Sequence, residues 1–179
     1  MSRSEPIRYA STGVAVPPNK YPFAALLHMR VDEDKEALCT GVLISERHIL
    51  TAAHCVYDES KVEQIVGAEV SCNPMGELLP LLDMTILLGT KCPKPGVCSD
   101  EKELALYKPR YIIPHPEYVP CILANDIAVI ELDKDAKSEE ASPICIVEER
   151  DSVKGRVTVV GRLYPEFPIS GKKERVGVS

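Results

Sequence analysis

Apolar runs in this chain are short, rich in β-branched residues and cut off at close intervals. MTILL stops at Gly89, IAVIEL stops at Asp133, and HILT runs into small residues. A run of that length buries one strand, whereas a helix needs an apolar period of 3.6 sustained over about ten residues or more. That period is weak throughout, and fifteen prolines with ten glycines punctuate the sequence, which favours turns over long helices. Residues 21–30 (YPFAALLHMR), 38–44, 48–51, 84–88, 127–132 and 155–161 read as strands, and 110–113 is apolar and β-branched. Residues 31–37 read as a hairpin-type loop, 57–67 as a mixed loop and 133–142 as a charged connector. Residues 101–107 fit a strand or one helical turn, and 68–83 carry no clear period. The pattern implies an all-β barrel or sandwich.

Composition narrows the function. A hydrophobic fraction of 45% and a charged fraction of 27% suffice for a soluble core. The net charge of −6 argues against a nucleic-acid partner, which needs clustered basic residues. Lys172, Lys173 and Arg175 form a short terminal group that reads as a solvated tail. No stretch reaches the ~18 apolar residues of a membrane helix. The densest, LLPLLDMTILL, is broken by Pro80 and Asp83. Neither nucleic acid nor membrane is therefore expected as a partner, and no cofactor or metal is called for.

Seven cysteines follow one another at separations of 16, 17, 20, 6, 23 and 24 residues, with no CxxC. Zinc fingers and ribbons want two close pairs, so disulfides in an oxidising, extracellular compartment are the better reading. An odd count leaves at least one cysteine without an internal partner. Residues 1–20 nevertheless contain no apolar signal-peptide core. A processed chain, a fragment or an incomplete gene model would each explain that conflict.

Two segments carry a family resemblance. LISERHILTAAHCV resembles the catalytic-histidine segment of trypsin-like (chymotrypsin-fold) serine proteases, and its TAAHC core is specific to that family. IPHPEY followed by NDIAVIEL resembles the segment that carries the catalytic aspartate. YPFAALLHM and LCTGVLIS resemble the opening strands, and the whole likeness covers roughly residues 10–161. The loops and cysteines around residues 68–121 resemble the nematode branch. The resemblance implies the first of the family's two six-stranded antiparallel β-barrels. It implies His54 as general base and Asp126 as the carboxylate that orients it. It also implies a Cys39–Cys55 disulfide around His54. Closing that 16-residue loop is worth about 3 kcal/mol in the chain-entropy account. His28, His48 and His115 read as structural, and Asp83 and Asp133 as decoys. The 72 residues from His54 to Asp126 exceed the family's usual spacing, which fits an insertion between residues 68 and 100.

The pattern then breaks. No GDSGG-like nucleophile segment is present, and Ser170, in PISGKK, does not match one. After Gly161 the family's tryptophan-glycine pair is replaced by Arg162, Leu163 and Tyr164. Expected domains are an N-terminal extension or propeptide remnant (1–9), the first barrel (10–142), and a crossover with an incomplete second barrel (143–179). Arg8 offers a cleavage site ahead of Ala10–Gly13, but the aspartate that receives the new ammonium belongs to the second barrel. Cys145 matches a crossover cysteine and is expected to be unpaired. Of the remaining four, Cys92 with Cys98 and Cys72 with Cys121 is the preferred connectivity out of three, and zinc held by this group with His115 is the competing arrangement. The expectation is a secreted trypsin-like endopeptidase lineage acting on peptide or protein substrates. This chain keeps His54 and Asp126, lacks the serine and is inactive as it stands. The alternative is a secreted, non-enzymatic pseudoprotease that binds rather than cuts. An exposed inter-barrel face predicts self-association.

Overall fold

A computed structural model describes residues 20–31, 35–58, 63–66, 69–72, 76–89, 105–147 and 158–161. Nine strands run in chain order: β1 (Ala24–Arg30), β2 (Glu36–Ser45), β3 (His48–Thr51), β4 (Glu63–Val66), β5 (Glu69–Cys72), β6 (Met84–Leu88), β7 (Ala105–Tyr107), β8 (Pro109–Pro114) and β9 (Ala128–Leu132). Seven lie in one antiparallel sheet in the order β7-β6-β1-β2-β3-β9-β8, while β4 and β5 form a separate hairpin.

The seven strands behave as six. Only Lys108 separates β7 from β8; β7 pairs with β6 (Ile86 opposite Tyr107), and β8 pairs with β9 (Pro109 opposite Leu132). One bent strand therefore joins both ends of the sheet and closes it into a barrel, which removes the exposed edges. Charge and hydrogen bonds hold the bend. Lys108 N–H donates to Asp133 Oδ1 at 3.1 Å, and Asp133 N–H donates to the Lys108 carbonyl at 2.8 Å. The Lys108 ammonium donates to the Leu82 and Met84 carbonyls and to Thr85 Oγ1, at 3.3, 2.9 and 2.8 Å.

Inward residues alternate as the two-residue strand period requires. Ala25, Leu27 and Met29 of β1, Met84, Ile86 and Leu88 of β6, and Ala128, Ile130 and Leu132 of β9 belong to one buried cluster. Leu43, Ile49, Val56 and Tyr107 belong to the same cluster. On β2, Gly41 lies between Cys39 and Leu43, where an added Cβ would come within 2.4 Å of Ile49 Cγ2. Glycine there lets β2 and β3 approach closely above the core.

Some elements differ from expectation. β4 lies inside the stretch read as a mixed loop, and β5 inside the stretch without a period. These strands are four residues each and pair only with one another, so no long alternation marks them. Residues 105–107 resolve as strand. The strand expected over 155–161 is not formed by residues 158–161, and Val159 is 91% exposed. Its β-rich sequence has no partner strand among the described residues.

Candidate active site

The register of β3 on β9 builds the site. Their antiparallel pairing sets Thr51, the last residue of β3, opposite Ala128, the first of β9. His54 lies three residues beyond the end of β3, and Asp126 two residues before β9. Both therefore leave the barrel at the same rim despite being 72 residues apart.

Each is held by its local chain. Ala52 is extended (φ −78°, ψ 146°) and feeds a 3-10 turn over Ala53–Val56. Ala53 and Val56 are fully buried, which anchors the turn from below. Cys55 is bonded to Cys39 on β2, with Cα atoms 6.0 Å apart. On the other side, Asn125 takes a left-handed conformation (φ 55°) and its amide donates to the Glu117 carbonyl at 2.9 Å. Ile127 N–H donates to the Asn125 carbonyl, and His115 N–H to the Ile127 carbonyl, at 2.8 and 2.9 Å. This folds the chain sharply at Asp126 and turns its carboxylate toward His54.

The carboxylate grips the histidine twice. Asp126 Oδ1 accepts the His54 backbone N–H at 2.8 Å, and Oδ2 lies 2.7 Å from His54 Nδ1. An ionised carboxylate only accepts, so Nδ1 carries the proton and Nε2 keeps its lone pair. Both side chains remain partly open, 26% exposed for His54 and 22% for Asp126. His54 Nε2 is 3.5 Å from Cys55 Sγ, a disulfide sulfur without a proton to give. The arrangement fixes one tautomer of a partly exposed imidazole, which can take up a proton at Nε2 and share the resulting charge with Asp126.

The remaining candidates sit elsewhere. His28 pairs with Glu36, His48 Nδ1 meets Ser45 Oγ, and His115 Nδ1 accepts Glu117 N–H. Asp83 binds Arg30, and Asp133 caps the Lys108 bend. Cys145 is an exposed free thiol. Cys121 is disulfide-bonded, which withdraws it from the zinc arrangement. Cys92, Cys98, the Cys72 side chain and Ser170 lie outside the described residues. Sequence reasoning passed over Asn125 and the Glu117 carbonyl as positioning groups. The signal was there in part, since asparagine beside the aspartate tolerates left-handed backbone better than most residues.

With this geometry in place, comparison with known proteins decides the lineage. The Trypsin family model matches residues 11–79 and 94–167. The chain belongs to the trypsin family. The match skips residues 80–93, inside the window where an insertion was expected. Among curated relatives of this trypsin-family chain, inactive serine protease PAMR1 of Homo sapiens is 35% identical over 115 residues, covering 64% of the chain and 14% of that protein. Granzyme B(G,H) of Mus musculus is 30% identical over 169 residues, covering 92% of the chain and 57% of the relative. Serine protease grass of Drosophila melanogaster is 30% identical over 145 residues, with 76% and 33% covered. The chain thus spans a minor part of PAMR1 and little over half of the granzyme. The solved structure of GrC superposes with a TM-score of 0.54 over 78% of the chain and 49% of its own, at 24% identity, a likeness of fold.

Proposed function

We propose that this barrel supplies the general base and its orienting carboxylate to a trypsin-like endopeptidase site, with His54 as base and Asp126 as orienter. The observation that carries the reading is the double contact of Asp126 with His54, which leaves Nε2 as the acceptor for a serine proton. In that chemistry Nε2 takes the hydroxyl proton as the oxygen attacks a peptide carbonyl, then returns it to the leaving amine. Asp126 stays ionised and stabilises the imidazolium. Peptide or protein substrates would lie across this rim, in an extracellular setting consistent with the Cys39–Cys55 bridge. The domain limits proposed are 1–9, 10–142 and 143–179.

These 179 residues contain no GDSGG-like segment, and the nucleophile and oxyanion donor that the family draws from that segment are absent with it. Those absent groups carry most of the stabilisation of acyl transfer. The refolded, oxidised chain should therefore form no covalent adduct with a fluorophosphonate probe. A label on wild type that is lost in His54→Ala would mean that a serine in this chain completes the site, and the inactive reading would be wrong.

A second reading has its own support: several relatives bear the name inactive serine protease, at 29–35% identity. In it the chain is a secreted pseudoprotease that binds protein through the rim without cutting. Binding of an unmodified polypeptide that survives His54→Ala would favour this reading over the catalytic one.

A further inference from the structure

His54 sits in the 3-10 turn over Ala53–Val56, and Tyr57 is the first residue beyond it. The Tyr57 ring has two close neighbours. Its centroid lies 5.0 Å from that of Tyr118, with the planes tilted by 48°. Gly76 (φ 41°) packs against the ring so tightly that an added Cβ would come within 2.7 Å of Tyr57 Cδ1 and 3.0 Å of Cε1. The backbone at Tyr57 is pinned as well. Tyr57 bridges Leu78, Asp58 N–H donates to the Glu77 carbonyl at 2.8 Å, and Leu79 N–H donates to the Val56 carbonyl at 2.9 Å. The proposed chemistry gives this seated ring no role.

We infer that Tyr57 is a positioning residue for the His54–Asp126 pair and acts through Tyr118; the inference rests on the reading of His54 as an oriented base. The contacts form a closed circuit. Tyr118 is buried and belongs to the core cluster, so it is a fixed post. The carbonyl of its neighbour Glu117 accepts the Asn125 amide at 2.9 Å. Asn125 precedes Asp126, and Asp126 holds the His54 backbone N–H and Nδ1 at 2.8 and 2.7 Å. His54 leads in three residues to Tyr57, and the Tyr57–Tyr118 ring pair returns the circuit to its start.

The ring pair supplies what the other anchors do not. The disulfide ties the His54 turn to β2 at Cys55, whereas Asp126 belongs to the loop that follows β8. A spacer between turn and loop is needed, because a hydrogen bond weakens steeply once its angle falls toward about 120°. Two packed aromatic rings make a stiff spacer, and truncating one leaves a void that forfeits its dispersion contacts. Gly76 is the seat that admits the ring. Its left-handed backbone and the closeness of Tyr57 both call for glycine. Tyr57 therefore touches neither substrate nor reacting atoms, and its effect is read at His54 Nδ1.

The test is the rate at which the His54 Nδ1 proton exchanges with solvent, followed by NMR on the oxidised full chain. Tyr57→Ala should speed that exchange by about tenfold or more, the factor carried by one charge-assisted hydrogen bond. Tyr57→Phe keeps the ring and should restore the wild-type rate. Gly76→Ala pushes the ring from its other neighbour and should also speed exchange, but add nothing once residue 57 is alanine. Ile86→Val, a loss of buried volume on β6, lowers stability away from the circuit and should leave the rate alone. The inference is overturned if Tyr57→Ala exchanges like wild type, or if Ile86→Val speeds exchange as much. Gly76→Ala acting equally with and without the Tyr57 ring would overturn it too. Should Tyr57→Ala not fold, Tyr57→Leu and Gly76→Ala carry the same comparison. A wild-type chain with no proton on Nδ1 would sink the proposed base as well, whereas a protected proton indifferent to residues 57 and 76 sinks this inference alone.

Discussion

At the scale of single residues, the site depends on a few geometric constraints that sequence shows unevenly. His54 and Asp126 were legible because their flanking residues resemble a family segment, not because any spacing rule singles out two groups 72 residues apart. The turn behind Asp126 was not legible, because it rests on one backbone conformation. Asn125 sits at φ 55°, which asparagine and glycine accept and β-branched residues resist. Asn125→Val should therefore cost about 1–3 kcal/mol in denaturant unfolding, with Asn125→Gly milder. A valine variant as stable as wild type would show that the turn does not impose this conformation. The disulfide beside His54 closes 16 residues. Cys39→Ser/Cys55→Ser should lower stability by about 2–5 kcal/mol.

Strands tell a different story. β1, β2, β3, β6 and β9 were readable because each carries inward residues for one core at a two-residue period. The hairpin of β4 and β5 was not, since eight residues pairing only with each other leave too short a pattern. Barrel closure was also hidden. Nothing in ALYKPRYIIP announces that Lys108 is a corner, because the corner is held by carbonyls of the strand β6 and the turn before it. Lys108→Ala should destabilise the chain by about 1–2 kcal/mol, while Lys108→Arg cannot place one compact ammonium among three acceptors and should recover only part. Stability unchanged in both would mean that the β-ladders alone close the barrel.

For the whole molecule, the charged connector is fastened at the end of the barrel opposite His54. The Tyr107 hydroxyl donates to Glu140 and accepts the Lys137 N–H. Burial first, and then the hydrogen bond to Glu140, push the Tyr107 phenol from 10.0 up to about 12. The folded state thus holds its proton more tightly than the unfolded chain. The resulting stability is complete below pH 10 and drains away as the pH climbs toward about 12. Tyr107→Phe should flatten that alkaline loss in urea unfolding, and an unaltered slope would contradict the assignment. Ile146, Val147 and Val159 are exposed along the crossover, 63%, 66% and 91%. Sedimentation of this chain should accordingly show concentration-dependent self-association that Ile146→Asp/Val159→Asp relieves.

The most direct test of the account is the tautomer of His54, read by long-range nitrogen–proton NMR on the oxidised chain at neutral pH. The proton should reside on Nδ1, with a downfield resonance that disappears in Asp126→Asn. A proton on Nε2, or an Nδ1 signal indifferent to Asp126→Asn, would contradict the oriented base on which the proposed function rests.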